Sequence, residues 1–151
     1  MWPMIAGVGP VLGEGTAGAF IDPDGGATLW GYANGASNSS GTPVVQVPQP
    51  YRLMRINPRM AALTNCYVER SGEASVIAFR GRPNTRSFGM PTGGISTANR
   101  NTQLSDGAWL YLTVSVMADR NLNRYGDAVV PDEVINSPSQ AALRAIEWLL
   151  Q

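Results

Sequence analysis

The sequence predicts a layered α/β or α+β domain, because strand patterns alternate with helix patterns along its 151 residues. The clearest strand covers residues 108–118, where apolar side chains recur at alternate positions. The clearest helix starts near Pro138, because Ser137 is a preferred cap and Gln140 completes a capping box. A chain of this length is typical of one domain, so residues 1–151 are predicted to form a single unit.

Shorter elements precede these two. The pattern predicts a helix at 2–12, a hairpin of strands at 19–21 and 28–32, and a surface loop at 34–50 with one short edge strand at 44–47. The hairpin turn from Asp22 to Gly26 resembles the start of a calcium loop, but Ala33 stands where such a loop needs a glutamate. We therefore expect an ordinary turn there. Residues 96–103 are polar and carry no assigned element.

Residues 60–95 place a serine between a strand and a helix. They predict a strand at 60–64, a turn at 69–73, a helix through Ala74 and Ile77, a second strand at 85–89 and a glycine-bearing loop at 91–94. A strand, a sharp turn with a serine and a helix present the nucleophile in several hydrolases. Amides at a helix start stabilise an oxyanion. The same pattern is that of an ordinary helix cap, so both interpretations of Ser71 stay open.

The composition excludes several functions. Apolar residues make up 44% of the chain and charged residues 15%, which indicates a globular protein with a core. The net charge is zero, so nucleic acid and anionic membranes are not expected partners. No apolar run reaches the roughly 20 residues of a membrane span. The single cysteine, Cys66, excludes an internal disulfide and leaves the cellular compartment unknown.

Histidine and lysine are absent, since all 11 basic residues are arginine. Arginine stays protonated and is not a general base. Acid–base chemistry by this chain alone therefore depends on carboxylates, tyrosine, cysteine or a terminal amine. Zinc sites of the usual histidine and cysteine kind are excluded, and we predict no metal and no cofactor.

Several short motifs occur in order between residues 60 and 135. They are Leu63-Thr64-Asn65, Ser71-Gly72-Glu73-Ala74, Arg82-Pro83-Asn84-Thr85-Arg86-Ser87-Phe88-Gly89, Pro91-Thr92-Gly93-Gly94, Leu104-Ser105-Asp106-Gly107 and Pro131-Asp132. With this order and spacing, the chain resembles the C-terminal half of the catalytic domain of tail-specific (C-terminal-processing) serine proteases, in the branch related to the tricorn protease core. The opening Met-Trp-Pro-Met is similar to the helix after the family's Asp-Leu-Arg strand and glycine turn. The resemblance implies a partial ClpP/crotonase-like fold and a peptidase ancestry, with the N-terminal half absent.

The resemblance places a serine-peptidase site at the start of the predicted helix. Ser71 is the candidate nucleophile, although the ungapped family register falls on Arg70. The candidate oxyanion and substrate-binding groups are Gly72, Glu73, Gly93 and Gly94. The lysine-using branch would have its base at Ile95, and the histidine of the other branch belongs to the absent upstream region. We therefore predict that this chain alone is an inactive peptidase domain.

Two classes of function stay open. One is a serine-type endopeptidase acting on peptides or proteins with a base from elsewhere, and the other is a non-catalytic peptide-binding or self-assembling module. The strand of Leu63 lacks a neighbour when the N-terminal half is absent, so its open edge predicts a homodimer or the capture of an extended peptide. A crotonase-type acyl-CoA enzyme shares the fold, but no basic cluster for a nucleotide phosphate is evident.

The remaining polar residues have ordinary structural interpretations. Cys66 is expected to be buried or half-buried. The histidine branch keeps a carboxylate that orients its base near Asp119, Asp127, Asp132 and Glu133, but solvated loop acids are the default. The arginines at 80, 82, 86 and 100 are either an anion site or surface charges that aid solubility.

Overall fold

The computed structural model describes residues 1–151 and contains three helices and nine strands. The helices are α1 (Trp2–Leu12), α2 (Ser71–Phe79) and α3 (Pro138–Leu149). The strands are β1 (Gly15–Ile21), β2 (Ala27–Ala33), β3 (Ala36–Ser39), β4 (Thr42–Gln46), β5 (Met60–Thr64), β6 (Thr85–Gly89), β7 (Thr97–Gln103), β8 (Trp109–Asp119) and β9 (Glu133–Val134). The mixed α/β class predicted from the sequence is confirmed. None of the three helices is long and apolar enough to cross a membrane.

The strands form two sheets of opposite character. Six antiparallel strands lie in the order β4-β3-β2-β1-β8-β7, and three parallel strands lie in the order β5-β6-β9. β5 pairs with β6 only, so it is an edge strand of the small sheet. The parallel pair is joined through α2, which is the crossover that parallel strands need.

The main core lies where α1 and α2 contact β1, β2 and β8. Its buried members include Ile5, Trp30, Ile77, Met117 and Val129. The helix α1 has Pro3 in its first turn, where a proline loses no intrahelical hydrogen bond. These contacts fix the start of α1 against α2.

A second, smaller core joins α3 to the parallel sheet. Phe88 of β6 packs against Ala141 and Ala145 of α3, and all three side chains are buried. The Ser137 side chain accepts a hydrogen bond from the Gln140 amide at 3.5 Å, so the predicted cap of α3 is confirmed. The strands predicted at 60–64 and 85–89 are also confirmed, because β5 and β6 begin and end at the predicted residues.

The prediction for residues 34–50 was correct in part. The edge strand predicted at 44–47 corresponds to β4, but the rest is not all loop, because β3 forms a hairpin with β4. Residues 97–103, to which no element was assigned, form the whole of β7, which pairs with β8. The strand predicted at 108–118 is confirmed as β8, but its residues 109–113 are exposed on both faces rather than packed in the core.

Candidate active-site elbow

The strand β5 ends in a sharp turn that leads directly into α2. The Thr64 hydroxyl donates to the Met90 carbonyl at 2.8 Å and fixes the strand end against the loop after β6. The Asn65 side chain then accepts from the Tyr67 amide at 2.9 Å, and the Val68 amide donates to the Asn65 carbonyl at 3.0 Å. This Asx turn reverses the chain before α2 starts.

Arg70 lies at the apex of the turn with φ 48° and ψ −107°. A residue with a side chain rarely adopts this conformation, and it persists only where surrounding contacts impose it. The strained residue between a strand and a helix is the position that carries the nucleophile in hydrolases with a nucleophile elbow. The structure therefore has an elbow, and its apex residue is an exposed arginine.

Glu73 is the residue that holds the elbow together. Its side chain is fully buried, and its carboxylate accepts four hydrogen bonds. The donors are the Arg70 amide at 2.9 Å, the Thr92 hydroxyl at 2.6 Å, the Gly94 amide at 2.9 Å and the Ile95 amide at 2.9 Å. A buried carboxylate is stable only with such partners. Glu73 thus joins the apex of the elbow to the loop of residues 92–95.

That loop lies directly on the turn before α2. The Gly93 amide donates to the Val68 carbonyl at 2.9 Å. A Cβ atom at Gly93 would lie 2.5 Å from Glu69 Cγ and 3.0 Å from the Cys66 carbonyl oxygen, so only glycine fits without movement. Glycine at this position serves close packing of two backbone segments.

Of the four amides expected to bind an oxyanion, three donate hydrogen bonds to groups inside the protein. Gly72 donates to the Glu69 carbonyl at 2.8 Å, Gly93 to Val68, and Gly94 to Glu73. The amide of Glu73, the fourth expected group, and that of Ser71 both lie in the first turn of α2, where helix geometry supplies no acceptor. These two amides are therefore placed to bind a ligand without breaking an existing backbone hydrogen bond.

The Ser71 hydroxyl is half-buried and faces the start of α1. The backbone nitrogen of Met1 donates to Ser71 Oγ at 2.9 Å. No carboxylate accepts a hydrogen bond from this hydroxyl, so no side chain of the described residues is placed to remove its proton. The assignment of Ser71 as a nucleophile stays a prediction.

The carboxylates expected near the position that orients a catalytic base form hydrogen bonds with loop residues instead. The buried Asp119 accepts from the Asn121 amide at 2.8 Å, from Asn123 and from the Tyr125 hydroxyl at 3.2 Å. Burial and the nearby Asp119 raise the pKa of Tyr125 to about 12. Asp127 is exposed, as expected, whereas Asp119 is not the solvated loop acid that we predicted.

Asp132 and Glu133 are likewise paired. Asp132 accepts from Arg80 at 2.7 Å and from both the amide and the hydroxyl of Ser87 at 2.7 Å. Partial burial raises the pKa of Asp132, but the hydrogen bonds from Ser87 and the charge of Arg80 outweigh it and hold that pKa below its usual value. These contacts therefore stabilise the fold above the usual carboxyl range, and their contribution is lost as the pH falls through the lowered pKa. Glu133 pairs with Arg86 at 3.0 Å and with Arg144 at 2.9 Å.

Most of the arginines considered for an anion site are also occupied. Arg80 and Arg86 form the ion pairs above, and the buried Arg82 donates to the Pro58 and Pro83 carbonyls and to the Thr85 hydroxyl. Arg100 alone is exposed, on β7. Cys66 is an exposed free thiol, so the prediction of a buried or half-buried cysteine was wrong. It lies in the surface turn after β5, outside the core.

The cavities of the molecule lie beside the elbow rather than on it. The largest, about 450 Å³, is lined by residues of α1, β2 and the segment 50–53. An apolar cavity of about 180 Å³ lies at the carboxyl ends of β5 and β6, where its walls include Leu63, Met90, Ile135 and Ala141. No group of three or more His, Cys, Asp or Glu side chains is close enough together to hold a metal ion.

Sequence reasoning did not anticipate the role of the Glu73 side chain. We predicted that residue as a backbone donor, but the structure makes its carboxylate the acceptor that organises the site. The signal is present in the sequence, because a glutamate at the third helical position commonly reaches back to the residue before the helix. Its further bonds to residues 92–95 depend on tertiary structure.

The chain is similar to known proteins over nearly its whole length. No protein-family model matches the chain. The chain is 26% identical to the nisin-resistance protein of Lactococcus lactis subsp. lactis, over 97% of its own length and 45% of that protein. Among solved structures it is similar to a lipoprotein from Streptococcus agalactiae, with 27% identity, a TM-score of 0.71, and coverage of 98% of this chain and 49% of that one.

A photosystem II D1 C-terminal processing protease shares the fold. It superimposes with a TM-score of 0.62 at 19% identity, over 95% of this chain and 35% of the protease. The chain spans about half the length of the first two relatives and about a third of the protease. The fold is thus that of part of a tail-specific-protease-like domain, and the resemblance predicted from the motifs is confirmed.

Proposed function

We propose that this chain is a peptide-binding domain of the tail-specific-protease type, with a partial ClpP/crotonase-like fold, that does not hydrolyse peptides by itself. The observation that carries the proposal is Arg70 at the apex of an intact elbow. An arginine is not a nucleophile, and no histidine or lysine is present to activate the neighbouring serine. The elbow geometry is retained while the catalytic groups are absent.

The open edge of β5 supplies the binding surface in this proposal. The Met60 amide donates to the Asn84 carbonyl and the Thr64 carbonyl accepts from the Met90 amide, so residues 60, 62 and 64 face β6. The amides and carbonyls of Ala61 and Leu63 therefore point away from the sheet. An extended peptide that pairs with Ala61 and Leu63 satisfies these groups.

The apolar cavity beside the edge favours a peptide with an apolar residue. Leu63 belongs both to the edge strand and to the cavity wall, and its side chain is 53% exposed. Strand addition provides affinity through the main chain, and adjacent pockets select side chains. A volume of about 180 Å³ accommodates one aliphatic side chain.

A serine-type endopeptidase is the second candidate, and one observation favours it. The Ser71 hydroxyl lies where the starts of α1 and α2 meet, and the Ser71 amide has no acceptor inside the helix. In that case Ser71 attacks the peptide carbonyl, and a base outside these 151 residues takes its proton. A homodimer across the β5 edge is the other predicted occupant of that surface, and it would compete with peptide for Ala61 and Leu63.

Two measurements separate these candidates. Intact-mass analysis after treatment with a fluorophosphonate probe is expected to show no adduct, beside a control protease that is labelled. An adduct mapped to Ser71 would overturn the non-hydrolysing proposal in favour of the endopeptidase.

Peptide binding is tested by fluorescence anisotropy with a labelled octapeptide of alternating leucine and threonine. We expect Leu63→Pro to weaken binding at least tenfold, because it removes the outward amide but no hydrogen bond to β6. Leu63→Ala is the matched control that keeps the amide. Unchanged affinity for Leu63→Pro, or equal affinity for a peptide N-methylated at every amide, rules out strand addition. Light scattering of both variants shows whether a dimer uses the same edge.

A further inference from the structure

The strands β7 and β8 form an arm that extends beyond the six-stranded sheet. β8 pairs with β7 from Trp109 to Val116, but with β1 only from Val116 to Asp119. The part of β8 before Val116 therefore has no strand partner on the β1 side, although Asp22, Pro23 and Arg124 lie beside residues 113–116. At about 3.4 Å per residue, the arm projects roughly 20 Å past the end of β1.

The arm exposes large apolar side chains on both faces. They are Leu104, Trp109, Leu110, Tyr111 and Leu112, each between 45% and 63% exposed. Side chains of this size leave on the order of 500 Å² of apolar surface in water, which is near the upper limit for the largest patch of a monomer. An isolated two-stranded ribbon is marginally stable in water. The exposed apolar area and the marginal stability of an isolated ribbon both favour a binding partner at the arm.

The unpaired edge of β8 lacks the charged residues and prolines that prevent edge strands of different molecules from pairing. Residues 107–118 contain no charged residue and no proline, whereas edge strands commonly carry one or the other. The edge strand at the other end of the same sheet, β4, has Pro43. The edge strand of the small sheet, β5, is only five residues long. β8 is the long, apolar and unprotected edge of this molecule.

We propose that a second copy of this chain covers the arm, with the two β8 strands paired antiparallel about a two-fold axis near Leu110. An antiparallel pair of identical strands is self-complementary and closes as a dimer. Arg100 lies opposite Leu112, and Asp106 lies at the tip. A centre at Leu110 places Asp106 of each copy opposite Val114 of its partner, two residues or roughly 7 Å along the strand from the level of Arg100, which the long arginine side chain can span.

The pairing buries the outward backbone groups of both β8 edges and the flanks of the apolar side chains, whereas a standard interface buries about 800 Å² on each partner. Because edge-to-edge pairing leaves the side chains on the two faces in water, the dimer is expected to be weak and to dissociate on dilution. The inference concerns a different surface from the β5 edge and does not depend on peptide binding.

The test is the molar mass in solution, measured by light scattering over a hundredfold range of concentration. We expect twice the chain mass of 16.1 kDa, falling to the chain mass on dilution. Leu112→Lys is expected to weaken the dimer at least tenfold. Leu143→Lys is the matched control, because Leu143 is an equally exposed leucine on α3.

Crosslinking tests the position of the axis. In a Cys66→Ser background, cysteine introduced by Leu110→Cys is expected to form a disulfide-linked dimer under mild oxidation, whereas Leu143→Cys stays monomeric. A chain that is monomeric at every concentration, or a dimer that survives Leu112→Lys, overturns the proposal. So does a monomer whose arm binds neutral phosphatidylcholine vesicles, because the occupant is then a lipid surface.

Discussion

At the start of α2 the polar groups have hydrogen-bond partners within the chain, whereas the β7–β8 arm exposes apolar side chains and an unpaired strand edge to water. At the start of α2, one buried carboxylate binds four donors, and the neighbouring glycine amides donate to backbone carbonyls. In the arm, large apolar side chains stay in water and a strand edge has no partner. The start of α2 is therefore closed by internal hydrogen bonds, while the arm, which carries the motif Leu104-Ser105-Asp106-Gly107 at its tip, is open. The resemblance located the elbow, and the unsatisfied surface is where we propose that a partner binds.

The largest effect that separates the two regions is expected from Glu73→Gln. The amide of glutamine places two hydrogens where the carboxylate accepted hydrogen bonds, so buried donors lose their acceptors. We expect a loss of about 3 kcal/mol in the free energy of unfolding. Glu147→Gln is the control, because Glu147 is 68% exposed and pairs only with Arg144 at 3.5 Å. Urea denaturation measures both, and a loss below about 1 kcal/mol for Glu73→Gln would contradict the role given to that carboxylate.

A smaller effect, of opposite sign, is expected from Arg70→Gly. Glycine adopts φ 48° and ψ −107° without steric penalty, so the substitution relieves strain and is expected to add about 1 kcal/mol to the free energy of unfolding. Arg100→Gly is the matched control, since Arg100 lies in regular β7. There glycine is expected to remove about 0.5–1 kcal/mol. If both substitutions destabilise the protein alike, Arg70 is not a strained apex.

The smallest effect on the folded chain is expected in the arm. Tyr111→Ser removes a ring that is 63% exposed, so the free energy of unfolding is expected to change by less than about 0.5 kcal/mol in dilute solution. Tyr32→Ser is the comparison, because Tyr32 is 4% exposed and belongs to the main core. Thermal unfolding of the two variants at low protein concentration checks the contrast. A large loss for Tyr111→Ser would mean that the arm packs on its own chain.

The sequence predicted the parts of the fold in which local pattern and burial agree. The strands at 60–64 and 85–89 are apolar segments bounded by turn residues, and α3 has its own cap. The strand β3 was missed because its residues are small and polar. Its hairpin signal was nevertheless present: Asn34 and Gly35 have φ 51° and 80°, as a type I′ turn requires. The strand β7 was missed because an exposed arm imposes no alternation.

The candidate site was predicted in position but not in chemistry. The motif places the elbow at residues 70–73, and the ungapped register had already pointed to Arg70. The backbone conformation of Arg70 is invisible to periodicity, because it depends on Glu73 and on a loop more than 20 residues away. Burial of Glu73 likewise follows from tertiary packing, so a charged residue near a helix start gave no sign that it lies in the interior.

The pairing of β1 with β8 has a consequence for the speed of folding. Gly18 pairs with Asp119, so this junction closes a loop of about one hundred residues. The hairpin of β7 and β8 needs only its own short turn, and hairpins form in about 1–10 μs. Distant pairings form much later, because their entropy loss precedes any gain in contacts. The apolar arm can therefore pair transiently while the rest of the sheet is still open, and chains at high concentration would meet through their arms before either has finished folding.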